Sequence, residues 1–306
     1  MSRVSWCEKS VPSQPPPMRR RATKSDLKKI KQKVSRARRR GEEAWTDEEV
    51  DRAGLTLDDQ PPRTLADLVT TKLVQTADWD CGLACVQMAL SSLGLNEADV
   101  PTALLRSRLA SKEVWSIDLA YLLADFGVQC EYWTAHASAA DTHDGCAFYA
   151  KTIEEDTARV SALLAAAAEE GVCVRERVLT AAQLWNTLMD EEYALIALVD
   201  QPSLYAPLGE SRTGDFMGHY VLLVGCDAAR DSILLKDPGR REARTVLVKR
   251  EIFEYARLVE GTDQDLIAVP LFQSTPASPE AGSLPKVERA IARAARMGGD
   301  GQGLPE

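Results

Sequence analysis

Residues 81–94 read Cys-Gly-Leu-Ala-Cys-Val-Gln-Met-Ala-Leu-Ser-Ser-Leu-Gly. Leu83, Val86, Leu90 and Leu93 recur at helical spacing, so a helix is expected over 81–93, with Gly94 ending it. Working outward, Ser116 is placed to cap a second helix over 117–126, stopped by Gly127, and 128–134 then reads as a strand. A helix over 154–170 leads into a strand over 172–178, and Thr180 caps a helix that reaches about Asp190. Strand-like runs follow at 194–199, 219–224, 233–236 and 266–271, the last two separated by a helix over 249–257. Helices first and strands later predicts an α+β domain of one layered core, with helices packed on an antiparallel sheet. That core spans 64–272. The flanks, 1–63 and 273–306, read as flexible tails, and the second carries a short amphipathic pattern at Val287, Ile291 and Ala295.

Charge is unevenly spread along the 306 residues. Formal net charge is -9, yet the segment 19–40 is dense in Arg and Lys, with Asp26 its only acid. The remainder is therefore strongly acidic, which argues against a nucleic-acid-binding core. The basic segment reads as a solvated arm suited to contact nucleic acid, a membrane surface or an import receptor. No secretory signal pattern opens the chain, and no apolar run approaches the roughly 18 residues of a membrane span. A soluble protein of the cytoplasm or nucleus is expected. The 7 cysteines include no CxxC pair, as expected of reduced thiols rather than a metal site.

The chemistry concentrates at the ends of three elements. Cys81 starts a helix, where unpaired backbone N–H groups and the positive end of the dipole favour a thiolate. His219 opens the apolar run Gly218-His219-Tyr220-Val221-Leu222-Leu223-Val224, and Asp237 closes the next one. An imidazole oriented by a carboxylate can activate a thiol. Gln75, six residues before Cys81, offers an amide for an oxyanion hole. Asp78 and Asp80 flank Trp79, either as solvated acids or as cation ligands. Each residue also has an ordinary reading: a buried structural Cys, a hydrogen-bonded core His, an Asp-Pro turn and a loop Gln.

Together, QTADWDCGLACVQMALSSLG, VWSIDLAYLLADFGV, GHYVLLVGCD and EGTDQDLIAV resemble the guanylyl cyclase domain-containing protein family. That family is itself similar to the C39-type bacteriocin-processing peptidases, which have a papain-like fold. The resemblance covers about 72–271 and neither flank. It implies a papain-like, C39-peptidase-like fold in which Cys81 is the nucleophile, His219 the general base, Asp237 the orienting carboxylate and Gln75 the oxyanion group. The family's name implies conversion of GTP to cyclic GMP.

The leading expectation is a thiol-dependent hydrolase acting on a peptide or a small amide or ester, with no cofactor. A guanylyl cyclase using GTP with Mg²⁺ or Mn²⁺ is the alternative, and a non-catalytic binding module a third reading. The segment 201–217, rich in Gly, Pro and Ser, reads as a lid or specificity loop. No P-loop is present, and the Gly-rich stretch 298–303 follows no strand. Asp78, Asp80, Asp118 and Asp237 are the conceivable metal ligands, and no spacing singles out a pair.

Overall fold

The computed structural model describes residues 55–56, 64, 66–67, 70–95, 97–137, 153–205, 216–241, 245–273, 276–280 and 282–299. The expectations for the basic arm and for residues 206–215 of the lid segment lie outside the described residues. The strands are β1 (Leu55–Thr56), β2 (Glu131–Thr134), β3 (Cys173–Glu176), β4 (Tyr193–Asp200), β5 (Gly218–Asp227), β6 (Ser232–Lys236), β7 (Val246–Lys249) and β8 (Leu266–Pro270). The helices are α1 (Cys81–Ser92), α2 (Thr102–Ser107), α3 (Ser116–Asp125), α4 (Ile153–Ala166), α5 (Ala181–Met189), α6 (Gln201–Tyr205), α7 (Arg250–Arg257) and α8 (Lys286–Gly299).

The strands form one sheet in the order β1-β7-β6-β5-β4-β8-β2-β3. Every described pair is antiparallel except β2 with β3, which is parallel. The α+β class therefore stands, but the sheet is mixed rather than antiparallel throughout. The reason lies in the connection: α4 falls between β2 and β3, and a helical crossover returns the chain in the same direction.

Helices cover both faces of the sheet, not one. On β4 and β5, Ala194, Ile196, Leu198, Leu222 and Val224 share a core with Leu83, Leu90, Leu119 and Leu123 of α1 and α3. The alternate residues Leu195, Ala197, Val199, Val221 and Leu223 pack with Leu184 and Leu188 of α5 and with Phe253 of α7. Burial on both faces explains why these strands read as nearly unbroken apolar runs. Helix α1 is enclosed more completely than one apolar stripe implies, since every residue from Cys81 to Leu90 is buried. Truncating a leucine such as Leu83 (0% exposed) to Ala is expected to cost about 2–5 kcal/mol.

Local signals acted much as expected, with one shift. Thr180 accepts a hydrogen bond from the Gln183 N–H (3.2 Å) while the Gln183 Oε1 accepts from the Thr180 N–H (2.9 Å), a reciprocal cap on α5. At α3 the capping position is Trp115, whose N–H donates to Asp118 (2.9 Å). Ser116 instead shares a hydrogen bond with the Tyr220 hydroxyl (3.0 Å), tying α3 to β5. In α8, Val287 and Ala290 are buried in the first core.

One glycine fixes how the chain before α1 reaches the sheet. Gly225 sits at a β-bulge with φ 144°, and a Cβ there would lie 2.1 Å from Thr64 Cγ2. Thr64 donates to the Val224 carbonyl, and the Lys236 ammonium pairs with Asp67 at 2.9 Å. Among the described residues no helix is long and apolar enough to cross a membrane.

Candidate functional site

The loop before α1 is built by Asp80. Its carboxylate accepts from the N–H groups of Thr76 (3.0 Å) and Ala77 (3.0 Å), from the Thr76 hydroxyl (2.6 Å) and from Arg106 (2.8 Å). The Arg106 guanidinium also lies 4.6 Å from the centre of the Trp79 ring. Asp80 thus curls the chain so that Cys81 begins α1, while Asp78 stays exposed.

Cys81 itself is sealed, with 6% exposure. Burial pushes its thiol up to about 11, against the lowering effect of the Tyr220 and Gly82 backbone, while Asp237 and Asp80 raise it further. The first turn of the helix was expected to favour the thiolate, and desolvation of the charged form outweighs it. Cys85, one turn on, is fully buried and pushed well above its ordinary value by the same cause.

His219 and Asp237 meet because β5 and β6 are paired. His219 is the second residue of β5 and Asp237 directly follows β6, which places both at the same end of neighbouring strands. The ring Nε2 lies 2.7 Å from Asp237 Oδ1, which also accepts from the Gly239 N–H at 2.8 Å. His219 is 3% exposed and Asp237 0%. Burial first, and the Lys72 ammonium second, lower the imidazole to about 4. Near neutral pH the ring is therefore neutral, with its Nε2–H donated to Asp237 and its Nδ1 left as a proton acceptor.

Gln75 joins the same cluster through the turn after β6. Its backbone N–H donates to the Pro238 carbonyl and its Nε2 to the Ala77 carbonyl, each at 2.9 Å. Its Oε1 is buried and has no hydrogen-bond partner among the described residues. The amide thus turns a donor toward its own loop and an acceptor toward the cluster. A Cβ at Gly239 would lie 3.2 Å from Asp237 Oδ1, 3.3 Å from His219 Cε1 and 3.5 Å from Gln75 Oε1. The three side chains converge on the space that Gly239 leaves open.

Two cations complete the cluster, and sequence reasoning had singled out neither. Lys72 Nζ donates to the carbonyls of Leu73 (2.8 Å) and Arg240 (2.9 Å). Arg240 is 8% exposed, with Nε 3.7 Å from Asp237 Oδ2 and its guanidinium 4.6 Å from the centre of the Tyr205 ring. The run Asp237-Pro238-Gly239-Arg240 carries a turn signature that could have drawn attention to Arg240.

Three of the four conceivable metal ligands are already engaged by protein partners. Asp80 is held by Arg106, Asp118 by Arg159 and the Trp115 N–H, and Asp237 by His219, Gly239 and Arg240. Among the described residues, no group of three or more His, Cys, Asp or Glu is placed to hold a metal ion.

A family model described as guanylylate cyclase matches residues 70–269. A protein of Arabidopsis thaliana named Guanylyl cyclase 1 is 33% identical over 205 residues, covering 64% of this chain and 74% of the plant protein. The chain belongs to the guanylyl cyclase domain-containing family. Membership overturns the leading expectation of a papain-like cysteine hydrolase acting on peptides, amides or esters through a Cys-His-Asp triad. Burial acts in the same direction on both groups, pushing the Cys81 thiol up to about 11 and the His219 imidazole down to about 4, and so disfavours a thiolate–imidazolium pair.

Proposed function

We propose that this chain is a guanylyl cyclase, converting GTP to 3′,5′-cyclic GMP and pyrophosphate at the cluster of His219, Asp237, Gln75 and Cys81. The observation that carries the reading is the buried 2.7 Å contact between His219 and Asp237, with the ring held neutral. Family membership and the relative's name support the substrate.

In this reaction the ribose 3′ oxygen attacks the α-phosphorus. A bond forms between that oxygen and phosphorus, the bond to the pyrophosphate oxygen breaks, and the 3′-OH proton must leave. His219 Nδ1 takes that proton, and Asp237 holds the tautomer and stabilises the imidazolium as it forms. The free ring, lowered to about 4, is unprotonated at neutral pH but weakly basic, and the negative charge of an arriving triphosphate raises its basicity. Lys72 supplies positive potential for the polyphosphate. Gln75 Oε1 accepts from a hydroxyl of the sugar, and Cys81 shapes the wall without reacting. Mg²⁺ or Mn²⁺ enters as part of the nucleotide complex, held chiefly by the phosphates.

The test is direct. Purified full-length chain, given GTP with Mg²⁺ or Mn²⁺, is expected to form cyclic GMP and pyrophosphate, read by mass spectrometry. His219→Gln should lower the rate by ~10²–10⁴-fold, the usual worth of a general base. Cys81→Ala should leave it within about twofold, since a neutral buried thiol takes no part in the proton transfer. Folded chain that forms no cyclic GMP, or an effect of Cys81→Ala as large as that of His219→Gln, would sink the proposal.

A further inference from the structure

We propose that Arg240 is a positioning residue: its guanidinium is the counter-charge of buried Asp237, so that His219 is left neutral and free to accept a proton. A carboxylate with 0% exposure needs compensation, because an unpaired charge in the interior is costly. Two groups stand against its oxygens. The imidazole lies at 2.7 Å from Oδ1 and would have to become protonated, whereas the guanidinium lies 3.7 Å from Oδ2 and is charged at every relevant pH.

The turn is built to hold Arg240 there. Its backbone N–H donates to the Asp237 carbonyl (3.2 Å), its own carbonyl accepts from Lys72 Nζ (2.9 Å), and its guanidinium lies over Tyr205 (4.6 Å). The last contact places Arg240 on the end of α6, so the shelf and the charge come from different parts of the chain. Beside the ring, Lys72 precedes α1 and Asp237 lies on the turn after β6, with Arg240 on the far oxygen of Asp237 and Cys81 near enough to feel that carboxylate's charge. Asp200 ends β4 opposite Gly218, but its oxygens are taken by Ser203 and by the Met217 N–H (3.0 Å). Arg240 thus places a permanent cation on the outer oxygen of Asp237, while burial and Lys72 lower the ring's own affinity for a proton. With Arg240 gone, the carboxylate draws its positive charge from His219 instead.

The inference rests on the cyclase reading only for what the neutral ring is used for, so its test avoids turnover. The Cε1–H resonance of His219 is followed by NMR as a function of pH in the full chain, with wild type, Arg240→Gln, Arg240→Lys and Tyr205→Leu. Wild type is expected to keep a neutral ring down to about pH 4. Arg240→Gln should raise the midpoint by ~1 unit or more, a tenfold gain in proton affinity. Arg240→Lys, which keeps the charge, should restore most of the wild-type titration. Tyr205→Leu, which removes the shelf and keeps the charge, should shift the midpoint upward by less than Arg240→Gln.

An unchanged midpoint in Arg240→Gln would overturn the inference, as would a full-size rise in Arg240→Lys, which would mark a packing defect. Should Arg240→Gln fail to fold, an unmoved midpoint in Tyr205→Leu overturns it equally. A raised midpoint in a chain that makes no cyclic GMP would keep Arg240 in this role and remove the cyclase. Cyclic GMP formation with an unmoved midpoint would do the reverse.

Discussion

Asp237 and Asp265 are both buried carboxylates at strand ends, and their surroundings could hardly differ more. Asp237 faces an imidazole, a backbone N–H and a guanidinium. Asp265, just before β8, has the Tyr132 hydroxyl at 3.0 Å and further hydroxyls from Ser116 and Thr134, with Asp263 close enough to repel it. Burial and that second acid push Asp265 up to about 7, because hydroxyl dipoles only partly offset the loss of water. Similar burial thus yields two kinds of acid: one placed to work on a ring, one that holds its proton near neutrality.

The largest effect that would sharpen this contrast is on turnover. Asp237→Asn should cut cyclic GMP formation by ~10²–10⁴-fold, since the amide favours the wrong tautomer of His219 and cannot stabilise its cation. Asp265→Asn, measured in the same assay, should change it by less than ~10-fold. Equal losses would erase the distinction between the two sites.

Next in size is a pH-dependent stability. Asp265 has its folded value raised from 3.8 to about 7, so the fold binds its proton more tightly than the unfolded chain does. Its contribution is fully present below about pH 4, is lost as pH rises from there through 7, and levels off above, by at most roughly 4 kcal/mol in all. Urea unfolding of the full chain at pH 5 and pH 8 should show about 3 kcal/mol of this loss, because pH 5 already lies above the unfolded value, and Asp265→Asn should flatten it. A wild-type slope unaltered in the variant would place the proton elsewhere.

Asp80 supplies the smallest and most discriminating case, because it has both kinds of partner. Its carboxylate is 1% exposed, yet its cation Arg106 is 39% exposed. Arg106→Ala should cost only about 1 kcal/mol by urea unfolding, since the Thr76 and Ala77 donors remain and the guanidinium is largely solvated. A loss of 3 kcal/mol or more, the size associated with breaking a buried pair, would show that counter-charge outweighs dipoles here as well.

The legible parts of the molecule were those governed by near neighbours in sequence. Helix α1 and the cap at Thr180 follow from spacings of three and four residues, and β4, β5 and β6 from apolar runs bounded by turns. Strand β7 escaped notice because Val246-Leu247-Val248-Lys249 is short and runs directly into α7. The parallel pairing of β2 with β3 was equally hidden, because strand direction depends on where α4 docks. Of the candidate residues named in advance, the fold brings His219, Asp237 and Gln75 together around Gly239. The acceptor orientation of Gln75 and the presence of Arg240 could not be named in advance, since both depend on a turn meeting a distant loop.

Sequence alone determined the α+β class, the main elements and the family, because propensity, periodicity and motif order are local properties of a chain. Tertiary structure alone decided the chemistry of those residues. It sealed the Cys81 thiol, kept the His219 ring neutral, and set Arg240 against Asp237. Protonation depends on the water a group loses and the charges it gains on folding, and both come from residues far away in the sequence.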